Sequence, residues 1–451
     1  MRIIVVGAGE VGFDVARILA QEQHDVVVID KDNDALDRVR DKLDVMALHG
    51  NGTSAEIMEQ ARVRNADMMI AVTAIDEVNV IACMMADRLG VETTIARIRS
   101  DEFSRGKSVL KATDFGVDLV IHPEESAAAE VTRLIRRASA TDVLTFCGER
   151  LQLVGMRIDP DAPVIDKTLQ EIALDNAHLT FRIMAIGRGI RTILPRGNEK
   201  IRRNDQVFVL ARPKVMPHVA RYMGKSDDKI QHVMVLGGTM VGAKIAMQLS
   251  ESKHKRVKLI EPDRERAQVL SEKLPDVLVI HGDATDVDLL VLEGLGEMDA
   301  FVAVTDDEES NLVTCLMAKH LGVKKTVALL SKGAYIPISQ SIGLDAAVSK
   351  KLAVSREILR FLRGKHVLSV ATVHGLDAEI LEIEAGKRSK VTKNPLKDLS
   401  LPGGMLVGAV VHTNGDLEVA TGQTEIHPGD RSIVFVLPGS IADVERYFDK
   451  R

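Results

Sequence analysis

The sequence predicts an α/β protein made by duplication: two Rossmann-like, doubly wound parallel-sheet domains, each followed by a small α+β domain. Three observations carry this. A glycine-rich turn sits between an apolar strand-like run and a helical apolar period at residues 7–12 and again at residues 237–242. The stretch DMMIAVTAIDEVNVIACMMADRLGV, residues 67–91, lies over DAFVAVTDDEESNLVTCLMAKHLGV, residues 299–323, at an offset of 232 with 12 of 25 positions identical, where ordinary residue usage gives roughly one or two by chance. The register extends upstream, with VVGAGEVG from Val5 over VLGGTMVG from Val235 and VMALHGNGTS from Val45 over VLVIHGDATD from Val277. A whole folding unit has therefore been repeated.

The first unit opens with a buried-strand run at residues 3–6. Gly7, Gly9 and Gly12 follow in the spacing G-x-G-x-x-G, ahead of Val11, Val15, Ile18 and Leu19 at helical period. In that context each glycine has its own part: Gly7 makes the tight turn, Gly9 admits a pyrophosphate, and Gly12 lets the helix pack on the strand. The free N–H groups of the helix start then face the phosphates. A second strand, residues 26–29, ends in Asp30, about where a ribose-binding carboxylate belongs; it favours NAD-type or unphosphorylated adenosine ligands over a 2′-phosphate. HGNGTS brings Asn51 and Thr53 to the same sheet edge, the fourth strand ends at Thr73, and the fifth ends at Arg97, placed to meet a phosphate.

The second unit is less regular. Gly237, Gly238 and Gly242 are present, but Thr239 stands where Gly9 stood, Glu261 replaces Asp30, and Leu329 replaces Arg97. Asp283 and Thr285 match Asn51 and Thr53, and the fourth strand ends at Thr305. A side chain at 239 narrows the approach for a pyrophosphate, so ATP or ADP is an alternative ligand here.

Each unit is followed by an amphipathic helix, with Ala127, Val131, Leu134 and Ile135 in one copy and Leu352, Ile358, Leu359 and Leu362 in the other. Strand-like stretches at 182–188, 207–212, 406–413 and 432–437 mark the small domains, whose closing turns match as IRRNDQVFVL and IHPGDRSIVFVL. The polar run GKSDDK, residues 224–229, is the linker between copies. Domains are expected at 1–122, 140–224, 230–350 and 366–451, with boundaries near 122–145, 224–230 and 350–366.

Composition removes several function classes. At 451 residues the chain exceeds one core. Aromatic residues make up 3% with no Trp, which argues against base-stacking or sugar-binding surfaces. A formal charge of −6 offers no long-range attraction for nucleic acid or anionic lipid. Cys83, Cys147 and Cys315 lie far apart with no C-x-x-C and no secretory leader, so a reducing cytoplasm is expected, without disulfides or a structural zinc. Apolar runs such as residues 68–73 fall short of the ~20 residues that cross a bilayer, so membrane contact is expected only through a partner.

Several features carry bland readings. TDDEES from Thr305 reads first as acids complementing a helix dipole behind a capping Thr, and second as a cation site. His49 and His281 occupy matching turns without a clustered Cys or second His, so no metal ligand is assigned. Cys83 and Cys315 read as small core residues. Arg133, Arg136 and Arg137 read as a solvated helix face, with an interface as the alternative.

The opening MRIIVVGAGEVG, the HGNGTS and AVTAIDEVN segments, the IARIRS stretch around Arg97 and the two complete repeats resemble the TrkA family of potassium-uptake regulators. Those proteins carry tandem RCK N-terminal (TrkA-N) and RCK C-terminal (TrkA-C) domains, and the resemblance spans essentially the whole chain. It implies a non-enzymatic cytoplasmic regulator, a homo-oligomeric ring of four on the inner face of a TrkH-type potassium-translocating membrane protein, binding NAD(H) and ATP/ADP. Carried over by position, Gly7, Ala8, Gly9, Glu10, Val11, Asp30, Thr73, Ala74 and Arg97 form one site; Gly237, Gly238, Thr239, Met240, Val241, Glu261, Thr305 and Asp306 form the other. Class alternatives are a soluble NAD-dependent oxidoreductase and a nucleotide sensor acting on another partner. The small domains offer no acid–base constellation for the first.

Overall fold

The computed structural model describes residues 1–100, 111–137, 140–189, 191–225, 229–252, 254–283, 285–332, 335, 339, 342–351, 354, 357–358, 361, 367–372, 376, 378–437 and 439–448. The chain divides into two compact units, residues 1–126 with 350–359, and residues 127–349 with 360–451.

The first unit is built on a parallel sheet of β1 (Arg2–Val6), β2 (Asp25–Asp30), β3 (Met46–His49), β4 (Met68–Ala71), β5 (Thr93–Arg97) and β6 (Leu119–Ile121), in the order β3-β2-β1-β4-β5-β6. Residues 3–6 are at most 1% exposed and β4 is buried throughout. Strands covered by helices on both faces lose the apolar–polar alternation and become continuous apolar runs. Val6 is in register with Ile29 on one side and Ala71 on the other. The carboxyl ends of β1 and β4 thus finish together where the strand order reverses, the crevice in which open α/β sheets hold ligands.

The second unit contains three sheets. β7 (Asp142–Phe146), β8 (Leu151–Arg157), β9 (Phe181–Arg188), β10 (Arg191–Ile193) and β11 (Gln206–Ala211) form an antiparallel sheet ordered β10-β9-β11-β8-β7. β12 (His232–Leu236), β13 (Arg256–Glu261), β14 (Val277–His281), β15 (Ala300–Ala303), β16 (Lys325–Leu329) and β17 (Ala346–Val348) repeat the parallel order of the first unit. β18 (Val367–Thr372), β19 (Glu379–Glu384), β20 (Met405–Val411), β21 (Leu417–Val419) and β22 (Arg431–Val436) form a second antiparallel sheet, β18-β19-β22-β20-β21.

The two small sheets share a core in which Leu153, Phe208 and Leu210 meet Ile380, Ala409 and Phe435. Gly408 permits this approach, since a Cβ there would lie 2.4 Å from the Met184 sulfur. Polar ties reinforce the seam: Arg182 donates to the Ala420 carbonyl and Arg212 to that of Leu417, the latter at 2.8 Å.

Each stretch that follows a parallel sheet belongs largely to the other unit. In the helix Pro123–Arg136, Ala127, Val131, Leu134 and Ile135 are buried in one cluster with Val233, Val235, Ile245, Val302 and Val327, so this helix serves the second parallel sheet. Residues 350–359 belong instead to the first unit. There Ile358 is 1% exposed; Leu352, Leu359 and Leu362 lie outside the described residues.

Lys325, at the start of β16, is 1% exposed, and its ammonium donates to the Ala140 carbonyl. Burial pulls its pKa down to about 8, against ~10.4 in an unfolded chain. The unfolded state then binds more protons between pH 8 and 10, and stability contributed by this group rises with pH across that window. Against a Lys325→Met variant, the wild-type unfolding free energy is expected to gain on the order of 2 kcal/mol from pH 8 to pH 10. Parallel pH profiles of the two proteins in chemical denaturation would refute this.

Candidate nucleotide-binding sites

The three glycines of the first turn are required for three different reasons. Gly7 has φ +107°, a conformation L side chains rarely adopt. A Cβ at Gly12 would lie 1.7 Å from the Gly7 carbonyl oxygen, which no adjustment of a side chain relieves. Gly9 differs from both. Its φ is −59°, open to any residue, and among the described residues a Cβ there would meet nothing within 4 Å. Neither backbone strain nor internal packing asks for glycine at position 9. It keeps clear the space in front of the helix Glu10–Gln21, whose first N–H groups receive no side-chain cap.

The second turn repeats the first two conditions, with Gly237 at φ +101° and a Cβ at Gly242 only 1.9 Å from the Gly237 oxygen. The third is reversed. Thr239 has φ −61°, its hydroxyl accepts from the Gly242 N–H at 3.3 Å as helix cap, and it donates to the Val304 carbonyl at 2.8 Å. Gly238 corresponds to Ala8, and a Cβ on it would sit 2.6 Å from a Glu261 carboxylate oxygen, so substitution there disturbs the fold before any ligand.

Asp30 and Glu261 hold the turns. One Asp30 oxygen accepts the Ala8 N–H and the other that of Asp32 at 2.9 Å. Glu261 does the same for Gly238 at 2.8 Å and Asp263 at 3.0 Å, and is 2% exposed. Asp30 remains half-buried and within reach of the crevice; Glu261 is closed off. Val11 and Val241 point into the core, leaving only their backbone at the helix starts, whereas Glu10 and Met240 are exposed.

Asn79 and Asn311 stand at the candidate sites and were not marked as site residues by the sequence motifs. Asn79 is fully buried; its Oδ1 accepts from the Thr73 N–H and hydroxyl, both at 2.8 Å, while its Nδ2 donates to the carbonyls of Thr73 (3.1 Å) and Arg97 (2.8 Å). Asn311 makes the same four bonds to Thr305 and Leu329, at 2.7–3.1 Å. Each asparagine ties the end of the fourth strand to the end of the fifth, fixing the crevice floor.

Arg97 lies at that floor in an ion pair with Glu124 at 3.1 Å, both largely buried. Among the described residues its Nε and the second Glu124 oxygen have no hydrogen-bond partner. The guanidinium expected for a phosphate is therefore present and held by a carboxylate. Two further cations come from elements not assigned to the site. Arg38 stacks 4.7 Å over the Phe13 ring and donates to Glu10 (2.7 Å) and the Ala8 carbonyl (3.3 Å). Lys351, from the far end of the sequence but within the same unit, also pairs with Glu10. Lys351 first and Arg38 second hold the Glu10 carboxyl below its ordinary range against the opposing effect of burial.

Other expected contacts are engaged internally. Asn51 accepts from the Thr53 N–H and hydroxyl at 3.1 and 3.0 Å, and Asp283 from those of Thr285 at 2.8 and 2.9 Å, closing each turn on itself. His49 and His281 hydrogen bond to the Lys31 and Pro262 carbonyls. The Ala74 carbonyl accepts from Arg99 at 2.8 Å. In TDDEES the cap is not Thr305 but Asp307, which accepts from the Ser310 N–H at 3.1 Å; Thr305 is held by Asn311, and Asp306 is exposed between them. Glu309 pairs with Lys332 and Tyr335, which lower its pKa to about 2. Arg137 bonds to Gln152, so only Arg136 of the basic cluster is exposed on a solvated face.

The domain families agree with this duplicated geometry. The TrkA-N domain family matches residues 3–123 and 233–350, and the TrkA-C domain family residues 153–224 and 380–449. The chain belongs to the TrkA family. Trk system potassium uptake protein TrkA homolog 2 of Methanosarcina mazei is 35% identical over 455 residues, 99% of this chain and 100% of that protein. Trk system potassium uptake protein TrkA of Halomonas elongata is 34% identical over 453 residues, 99% and 98%. Among solved structures, the GsuK RCK domain superimposes with a TM-score of 0.61 at 16% identity over 99% of this chain and 94% of that one. The GsuK channel bound to NAD gives 0.61 at 17% over 99% and 78%. This TrkA-family fold is thus shared with RCK domains, and among the described residues no helix is long and apolar enough to cross a membrane.

Proposed function

We propose that this TrkA-family protein is a non-enzymatic, nucleotide-sensing regulatory subunit of a TrkH-type potassium-translocating membrane protein, acting as a homotetramer on the cytoplasmic face. The first crevice takes NAD(H); the second takes an adenine nucleotide, ATP or ADP. The observation that supports this most is the empty space in front of Gly9, matched by Thr239 filling the equivalent space in the second copy. A pyrophosphate reaches bare helix N–H groups in the first turn, whereas the second turn has already supplied its own cap. Arg97, pairing with Glu124 through one of its nitrogens, offers the phosphates a cation whose release from Glu124 couples ligand binding to the helix Pro123–Arg136. A GsuK channel is described bound to NAD, and another GsuK structure bound to ADP, in line with both ligand classes.

This function is tested by potassium flux into proteoliposomes holding a TrkH-type protein, with and without this subunit and with NADH, ATP or ADP. Nucleotide-dependent flux only when the subunit is present supports it. Flux indifferent to the subunit, or NADH consumption by the purified subunit at an enzyme-like rate, overturns it. The Thr239 barrier has its own test. On a Gly9→Asp background, which silences the first site, Thr239→Gly is expected to raise residual NADH affinity at least about threefold while costing a few tenths of a kcal/mol in stability. Unchanged NADH fluorescence titrations would show that Thr239 does not gate the second crevice.

A further inference from the structure

The closing turn of the second small domain carries a cluster that the nucleotide sites do not use. Asp430, 1% exposed at the entrance to β22, accepts the Thr413 N–H at 3.0 Å and the His427 N–H at 2.8 Å. His412, which follows β20, places Nδ1 2.7 Å from an Asp430 oxygen, and His427 places Nδ1 3.5 Å from the same oxygen. One donor atom from each of the three residues lies within 4.8 Å of the others. The far nitrogen of His412 faces Glu418 at 3.4 Å, and the other Glu418 oxygen receives the Thr424 hydroxyl.

The first small domain shows what this turn is without the cluster. Aligning FRIMAIGR with MLVGAVVH and IRRND with IHPGD sets Arg188 over His412 and Arg202 over His427. Asp205, the counterpart of Asp430 and equally buried, is filled by the Arg188 guanidinium through two bonds of 2.9 Å, with the Arg202 N–H at 2.8 Å. A permanent cation neutralises that carboxylate. In the second copy both arginines are replaced by imidazoles, and among the described residues no Lys or Arg pairs with Asp430.

We propose that His412, His427 and Asp430 form a site for a divalent transition metal of the zinc class. Two imidazole nitrogens and a carboxylate oxygen are the ligand types such ions prefer, with bonds of about 2.0–2.2 Å. The separations of 2.7 and 3.5 Å from Asp430 bracket what donors around one small ion require, and His427, 64% exposed, is the arm free to close. Glu418 receives the outer N–H of His412, the carboxylate behind a ligating histidine that fixes its tautomer and orientation. The ion clamps the turn after β20 to the turn before β22, as Arg188 does in the first copy, and leaves a fourth position for water.

The test is a titration of the full-length, chelator-stripped protein with Co²⁺, read by visible d–d absorption, and with Zn²⁺ in competition. One equivalent per chain is expected. His412→Arg and His427→Arg, which import the residues of the first copy, are expected to lose the signal while keeping the metal-free melting temperature. Glu418→Gln is expected to weaken binding about tenfold to a hundredfold with unchanged stoichiometry, and His281→Gln to leave it intact. Absence of saturable Co²⁺ and Zn²⁺ binding, or binding that survives His427→Arg, overturns the proposal.

Discussion

Replacing Gly9 with Asp is expected to weaken NADH binding at the first site by at least about a hundredfold, close to 3 kcal/mol, without lowering the melting temperature. The physical case has two halves. Among the described residues nothing lies within 4 Å of the new Cβ, and the backbone is in an ordinary conformation, so the fold accepts the side chain. A carboxylate standing where a pyrophosphate must lie meets it at roughly 4 Å, where like charges near a protein surface repel by about 4 kcal/mol per pair. Isothermal titration with NADH and ATP, beside thermal unfolding, separates the two halves. Equal loss of both nucleotides, or a melting temperature that falls with affinity, would remove the assignment of Gly9 to ligand approach.

The second large effect is structural. Asn79→Leu keeps the branched side-chain skeleton but deletes four hydrogen bonds at a fully buried position, leaving the Thr73 N–H and the Arg97 carbonyl without their side-chain partner. Each orphaned buried group costs about 1–3 kcal/mol, so a loss of about 3–5 kcal/mol is expected, together with loss of nucleotide binding at the first site. Asn311→Leu is expected to act on the second site with the same magnitude. A destabilisation below about 1 kcal/mol would mean that the asparagine only fills space. Hydrogen exchange at the Thr73 and Thr305 amides localises the effect to the mutated copy.

What the sequence made legible was whatever the backbone demands. Gly7, Gly12 and their counterparts answer to φ or to hard contact, and such requirements leave a fixed spacing. Of the small-sheet strands, β9, β11, β20 and β22 were readable from their apolar runs, while β7, β8, β10, β18, β19 and β21 were not. Burial does not separate them, since β11 is buried throughout; residues 151–157, LQLVGMR, are interrupted by Gln152, Gly155 and Arg157, so neither a continuous apolar run nor a period of two marks them. The site resisted where it depends on partners distant in sequence. Arg97 was visible, but not that Glu124 holds it, nor that Arg38 and Lys351 stand beside the turn. Asn79 and Asn311 were discoverable: an amide at the same place in both copies, on a helix face otherwise built from Ala82, Cys83 and Ala86, signals a polar group with an internal duty. The capping role given to Thr305 failed because Asp307 lies nearer the helix and offers a shorter reach to its N–H groups.

The distribution of the two connecting helices bears on how such a chain can be divided. The stretch 127–136 leaves the first parallel sheet and is interred with the second, while 350–359 returns from the second to complete the first. A cut in the polar segment at 224–229 therefore does not release two autonomous halves. The amino-terminal fragment would carry an uncovered face of Ala127, Val131, Leu134 and Ile135 and lack a piece of its own body; its complement would be missing a helix whose apolar face shares a buried cluster with Val233 and Val302. Neither copy can be excised at 224–229 without losing, or carrying away, a segment that belongs to a different unit.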